Sequence, residues 1–311
     1  MSDEAGSSVF LEDETHQYNH DSLRIVKDLF AGTTGGIAQV LVGQPFDTTK
    51  VRLQTSTAED ITTMKVIKDL VKHEGLKGFY KGTLTPLIGV GACVSVQFGV
   101  NEYMKRLLKT YNKTYKGIDS KILSLPQYYA CGLTGGLVNS FLSSPIEHIR
   151  IRLQIQKNSG KNAEFSGPLD CIKKLLKQKQ LMRGLPVMMV RAGHGLGVYF
   201  LVYEALIANQ IKKKSINRED IKSWRLCLYG ATAGTLLWIA VYPIDVIKSI
   251  IQSDNLKSPK YGTSLFKVGR QLYLKEGLPV FFKGLLPTML RATPANAVTF
   301  TVFETSMRLM G

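Results

Sequence analysis

Two arginines stand where arginine is expensive. Arg191 and Arg291 each lie eight residues into a mostly apolar stretch, running from Arg183 to Glu204 and from Lys283 to Glu304. Eight residues of helix rise ~12 Å, well inside a hydrocarbon core of ~30 Å. A cation at that depth normally faces a wet interior, which makes it a binding-site candidate. Guanidinium groups hold carboxylates in a two-pronged fork. The pair therefore points to an anionic or zwitterionic carboxylate ligand. His194 follows Arg191 by three residues on the same helical face and is placed to touch the ligand or carry a proton. The matching position of a third stretch, Lys81 to Glu102, is Gly89, which leaves space where a side chain would otherwise stand. Trp238, Asn139 and Gln39 are weaker candidates.

A second set of charges follows a proline. "PFDTTKVRLQ" starts at Pro45, "PIEHIRIRLQ" at Pro145 and "PIDVIKSIIQ" at Pro243. Asp47, Lys50 and Gln54 fall at i, i+3 and i+7, on one helix face. So do Glu147, Arg150 and Gln154, and Asp245, Lys248 and Gln252. A proline inside a helix removes a hydrogen bond and bends the axis. Exposed ion pairs are worth only ~0–1 kcal/mol, while partly desolvated ones are stronger but cost desolvation to form. Such a set can be switched. Arg52 and Arg152 lie off this face, and Ile250 holds the place in the third copy. The two arginines are expected to meet headgroups or solvent.

The elements that must position these residues come in triplicate. Each proline is preceded, with its first glycine 13 residues upstream, by "GTTGG", "GLTGG" or "GATAG". Downstream, "EGLKGFYKG" and "EGLPVFFKG" match, and the middle copy is degenerate. The reading is three units of two membrane helices, each pair joined by a basic segment of helical periodicity, as in Asp60 to His73 and Leu169 to Lys179. The unit boundaries are 22–112, 122–213 and 222–311.

Composition agrees. The chain of 311 residues carries net charge +16, which suits an anionic ligand or membrane surface. Residues 1–21 are acidic, without Lys or Arg, and read as a disordered tail rather than a signal peptide or Arg-rich presequence. The uncharged runs Gly82 to Asn101, Ile122 to Ile146 and Leu226 to Ile244 speak against a soluble nucleic-acid binder. The four cysteines lack metal-ligand spacing and read as buried thiols. No catalytic, metal or nucleotide-loop constellation appears, so an enzyme is not expected.

The tripled Pro-x-[Asp/Glu]-x-x-[Lys/Arg] pattern, with the acidic-Gly pattern downstream, resembles the mitochondrial carrier family over nearly the whole chain. "TPLIGVGA" and "RATPANA" resemble its carnitine/acylcarnitine and basic amino-acid branch, and the fungal YMC-type carriers are the nearest group. The resemblance implies an all-α membrane protein of the inner mitochondrial membrane. Six transmembrane helices in three tandem two-helix repeats, with short matrix helices, would form a pseudo-threefold barrel around a central cavity. It implies alternating access by a monomer, with no cofactor. It also implies a matrix gate of pairs Asp47–Arg150, Glu147–Lys248 and Asp245–Lys50, braced by the three glutamines. A weaker cytoplasmic gate would use Glu102, Lys105, Glu204 and Glu304. "YKG" at Tyr80 and "FKG" at Phe282 resemble helix starts that bind cardiolipin, whose phosphates suit free backbone N–H groups. Trp238 matches a tryptophan of the basic amino-acid branch. That branch and the carnitine carriers commonly follow the arginine with an acid, where this chain has Ala192, and Cys93 also replaces an acid. Both departures favour a small amino acid such as glycine or glutamate, or an organic acid, over a carnitine/acylcarnitine or basic amino-acid exchanger. A non-transporting membrane interaction protein on the same fold is the alternative of another class.

Overall fold

The computed structural model describes residues 22–56, 61–117, 123–156, 164–215, 221–256 and 259–310. The acidic tail falls outside them. Among the described residues the chain is helical and contains no strand. Long helices α1 (Ser22–Thr55), α3 (Leu84–Lys116), α4 (Leu125–Ile155), α6 (Leu185–Lys214), α7 (Ser223–Ser253) and α9 (Leu285–Leu309) form three consecutive pairs. Within each pair lies a short helix: α2 (Thr63–Glu74), α5 (Pro168–Lys177) or α8 (Leu265–Glu276). Pro45, Pro145 and Pro243 sit inside α1, α4 and α7. The architecture is three tandem two-helix repeats, each with its short connecting helix.

Each short helix is fixed by local chemistry. The Thr62 hydroxyl accepts a hydrogen bond from the Lys65 N–H at the start of α2, satisfying a donor the helix cannot use. Pro168 opens α5, where its missing N–H does no harm. Gly75 and Gly277 end α2 and α8 with positive φ. One apolar pair spaced i, i+4 is buried in each helix: Val66 and Leu70, Cys171 and Leu175, Val268 and Leu272. The first two pairs dock on the ends of α1 and α4. Val66 and Leu70 pack with Leu53 and Phe79. Cys171 and Leu175 pack with Ile149, Leu153, Phe165 and Leu256. Each fully buried aliphatic side chain stabilises by ~1.5–3 kcal/mol. Cys93, Cys131 and Cys171 are buried thiols, none of them in a disulfide among the described residues.

Hydropathy alone finds fewer spans than the repeats do. Leu185–Lys214 and Trp224–Ser253 are long and apolar enough to cross a membrane, and Leu76–Tyr115 makes a third if counted as one broken span. The described chain divides into two compact units. One holds Gly91–Leu142 and Met189–Val241; the other holds His20–Val90, Ser143–Met188 and Tyr242–Gly311.

Candidate functional site

The charges that follow the three prolines all belong to the second unit. There they form ion pairs between repeats. Arg150 Nη2 lies 2.7 Å from Asp47 Oδ2, and Lys50 Nζ lies 2.7 Å from Asp245 Oδ2. Lys248 pairs with Glu147 and also approaches Asp245 Oδ1 at 3.4 Å. The i, i+3 spacing explains the ring: acid and base sit one turn apart on one face, so each repeat offers its acid to one neighbour and its base to the other. Asp245 and Lys248 are 1 % and 4 % exposed, so these pairs are largely desolvated.

The glutamines brace unequally. Gln54 Nε2 donates to Asp245 Oδ2 and to the Tyr242 hydroxyl, both at 3.3 Å. Gln154 Nε2 donates instead to the Thr48 hydroxyl. The buried side-chain amide of Gln252 has no hydrogen-bond partner among the described residues. Among the described residues, Gln54 is the one glutamine of the three with a hydrogen bond to an acid of the ring.

Other braces escaped the sequence reading. Gln44 Oε1 accepts from Arg150 Nη2 at 2.6 Å, while Gln44 Nε2 donates to the Lys81 carbonyl. Tyr242 donates to the Lys283 carbonyl, and Lys50 Nζ lies 5.4 Å from the centroid of its ring. Both residues immediately precede the proline of their repeat, three before the acid. That spacing was the available signal, since it sets them on the acid's face one turn earlier.

Arg52 and Arg152 do not reach headgroups or solvent. Arg52 forms a bidentate pair with Glu74, and its Nε donates to the Gln154 carbonyl at 2.9 Å. Arg152, 4 % exposed, donates to the carbonyls of Ser253 and Asp254. Each therefore ties its helix to the next repeat by a carbonyl, a partner that charge patterns do not reveal. Lys81 Nζ also reaches Glu74, at 2.6 Å. Burial raises the Glu74 pKa, and the hydrogen bonds from Arg52 and Lys81 more than reverse this, leaving the carboxyl below its ordinary range.

A glycine at the start of each even-numbered helix of the pattern has a geometric reason. Gly82, Gly184 and Gly284 have φ of 80°, 87° and 86°, a region that side chains with a Cβ rarely enter. They also press on the next ring segment. A Cβ there would lie 3.0 Å from the Arg150 carbonyl oxygen, 2.9 Å from Gln252 Cγ and 3.2 Å from Lys50 Cγ, respectively.

Arg291 and Arg191 are both buried, each 2 % exposed. Arg291 lies on α9 in the second unit, with Nε 3.2 Å from Asp47 Oδ1. Arg191 belongs to the first unit, where its guanidinium carbon stands 5.3 Å from the centroid of the Trp238 ring. Two candidates 47 positions apart in sequence thus meet as a cation–π pair between α6 and α7. The half-buried His194 shares a hydrogen bond with the Tyr129 hydroxyl, 2.9 Å from Nδ1. Asn139 Nδ2 donates to Gln97 Oε1 at 3.1 Å, both residues being buried. Gln39 is buried as well.

Gly89 needs correcting. It opens no space: a Cβ there would lie 2.5 Å from Cδ1 of Ile146. Its role is to let α3 approach α4. Glu102 and Lys105, expected at the cytoplasmic gate, pair with each other within one repeat. Lys105 binds Glu102 at 2.8 Å within α3 and lies 5.8 Å from the Phe200 ring centroid. Glu204 is buried, and the Glu304 side chain is outside the described set.

The model of the family described as "Mitochondrial carrier protein" matches residues 21–112, 121–214 and 219–311. The chain is 61% identical over 312 residues to the mitochondrial glycine transporter YMC1 of Saccharomyces cerevisiae, covering 100% of both. It is 60% identical to that yeast's mitochondrial carrier protein YMC2, over 93% of this chain and 90% of the relative. To the glutamate/glycine mitochondrial carrier ymc1 of Schizosaccharomyces pombe it is 47% identical, over 90% and 93%.

Proposed function

The chain belongs to the mitochondrial carrier protein family, and from that premise we propose that it moves glycine, or glycine and glutamate, across the inner mitochondrial membrane by alternating access. It is a multi-pass solute carrier of that membrane and not an enzyme. The observation that carries the substrate reading is the pair of buried arginines, Arg191 and Arg291. Each is a fork for a carboxylate. Arg191 is further oriented by Trp238, and His194 lies one turn along the same helix. Ala192 and Cys93 supply no charge for a basic side chain, which favours a small amino acid. The names of the relatives, a glycine transporter and a glutamate/glycine carrier, support the same class.

The ring of Asp47–Arg150, Glu147–Lys248 and Asp245–Lys50 serves as the matrix gate in this reading, with Glu102, Lys105, Glu204 and Glu304 at the cytoplasmic side. Cardiolipin is the lipid proposed for the helix starts after Tyr80 and Phe282, both half-exposed aromatics. The carrier is proposed to act as a monomer.

The test is uptake into liposomes bearing the purified protein, with glycine, glutamate, lysine and an acylcarnitine as candidate solutes. Wild type takes up glycine or glutamate. Arg191→Ala and Arg291→Ala each lower uptake by at least about a hundredfold, the scale of a lost charge-assisted pair of ~3 kcal/mol, with the helical circular dichroism unchanged. Wild-type rates in either variant remove that arginine from the site. Preference for lysine or acylcarnitine overturns the substrate class.

A further inference from the structure

We propose that the acidic residues 1–21 dock on a column of basic side chains at the projecting end of α3, and that this contact screens the cytoplasmic mouth against anionic solutes. Its effect on selectivity rests on the reading above, in which glycine and glutamate are the candidate solutes.

Helix α3 runs on from Glu102 to Lys116, whereas α6 runs from the matching Glu204 to Lys214 and α9 from Glu304 to Leu309. At a helical rise of ~1.5 Å per residue, α3 projects ~21 Å past its acid, farther than the other two. The extension carries Lys105, Arg106, Lys109, Lys113 and Lys116, and no Asp or Glu follows Glu102 in it. Arg106, Lys109 and Lys113 are exposed. Lys105, Lys109 and Lys113 recur in steps of four, so they form a column that leads to the Glu102–Lys105 pair. The projecting end is braced. Asn112 and Gln127 exchange amide hydrogen bonds at 3.1 and 2.8 Å, and the Ser124 N–H donates to Gln127 Oε1 at 3.0 Å. Asn112 is buried. These bonds tie α3 to the start of α4, so the column stands on a fastened helix rather than on a fraying end.

Two occupants have the right charge, anionic lipid and the chain's own acidic tail. The aromatic residues assign the lipid elsewhere. Tyr103, Leu107, Tyr111 and Tyr115 are exposed and also recur in steps of four. At ~100° per residue their centre lies roughly 150° around the helix from that of Arg106, Lys109 and Lys113. Tyrosine suits the lipid interface, which leaves the basic flank turned away from it. Residues 1–21 hold Asp3, Glu4, Glu12, Asp13, Glu14 and Asp21 and no Lys or Arg, six acids for five bases. A chain that crosses the membrane in α1 and returns in α3 is back on its starting face, so tail and column share a compartment. Extended, the tail reaches at most ~70 Å, enough to lie along the projecting end. Exposed ion pairs are individually weak and screened by salt, so the docking takes several pairs and is salt-sensitive. The consequence falls on the solute. A bare basic column concentrates anions at a mouth. Glutamate is an anion at neutral pH, and glycine carries no net charge. The docked tail cancels the field and with it glutamate's advantage.

The test uses the full-length protein in liposomes. At low salt, carbodiimide coupling followed by mass spectrometry yields links from the acids of residues 1–21 to Lys109 and Lys113. In about 0.5 M KCl, where screening acts within a few ångströms, the links disappear. Replacing all six acids by their amides, Asp→Asn and Glu→Gln, lowers the KM for glutamate about three- to fivefold at low salt. It leaves the KM for glycine within about twofold, and at high salt it changes neither. Adding Lys109→Gln and Lys113→Gln to that variant returns the glutamate KM toward wild type, because the bare column is gone. The links are read on wild type, so they stand even where a multiple variant fails to fold. Links confined to Lys27, or none at all, overturn the docking. So does an amine-reactive label that reaches Lys109 and Lys113 of wild type only in vesicles without cardiolipin, since the column then belongs to lipid. Links together with an unchanged glutamate KM in the amide variant overturn the selectivity role. If wild type takes up neither glycine nor glutamate, the substrate reading falls together with that role, and the links still decide the docking.

Discussion

Glu74 is gripped by two cations, Arg52 from α1 and Lys81 beyond the helix end. Its carboxyl side chain is only 6 % exposed, so protonation would strand both partners against a neutral group. The pKa is lowered on folding, so the clamp's stabilisation is present above the ordinary carboxylate value and is lost as pH falls through the lowered one. Thermal unfolding of wild type against Glu74→Gln should show a gap at neutral pH that closes in that acid range. A gap of constant size down through the acid limb would remove the clamp as its source. The clamp also marks the limit of reading residues in line. Glu74 was visible in "EGLKG" as a pattern, and Arg52 as a charge off the gate face. Their pairing joins α1 to the end of α2 across 22 positions, a fold-back that helical spacing does not encode. Cys171 was better legible. Read as a buried thiol, it sits in the core under α5 with its pKa pushed up to about 12 by burial.

At the scale of elements, the three glycine patterns look alike in sequence and differ in space. A Cβ on Gly136 would lie 2.4 Å from the Ala192 carbonyl oxygen, and one on Gly132 would lie 2.4 Å from that of Leu196. Helices α4 and α6 are thus in backbone contact beside Arg191 and His194. Their counterparts Gly32, Gly36 and Gly234 have nothing within 4 Å of such a Cβ. Repetition made the glycines conspicuous but could not say which copy is compressed, because that depends on the partner helix. Small residues let membrane helices approach closely, and forcing an extra methyl into such a contact costs ~1–3 kcal/mol. Gly136→Ala should therefore lower the melting temperature of the purified carrier and weaken glycine uptake, since it displaces the backbone next to Arg191. Gly36→Ala should do neither, and serves as the matched control in the same thermal-shift series. Equal melting of the two variants would mean that the α4–α6 contact does not matter for stability.

For the whole molecule, the tripled proline-and-charge pattern revealed the architecture more clearly than hydropathy did. Only two described helices, or three with the broken one, are long and apolar enough to span, and one of these, α7, itself carries Asp245 and Lys248 of the ring. The ring joins residues from about one hundred to nearly two hundred positions apart, so its cohesion belongs to the assembled repeats and to no single helix. Charge types and spacing made the acids and bases legible. Family resemblance gave the pairing, while the bracing by Gln44 and Tyr242 needed coordinates. Lys50 and Asp245, 8 % and 1 % exposed, test that cohesion. Removing either charge alone leaves the other desolvated beside an amide, although Lys248 still lies near Asp245. Removing both discards the attraction together with the desolvation cost. In a double-mutant cycle, Lys50→Gln with Asp245→Asn should therefore be less destabilising than the sum of the two single changes, with a coupling of ~1–3 kcal/mol read from chemical or thermal unfolding of the detergent-purified protein. Strict additivity would show that the pair closes no seam, leaving the ring as three neighbouring charges of each sign without a shared mechanical role.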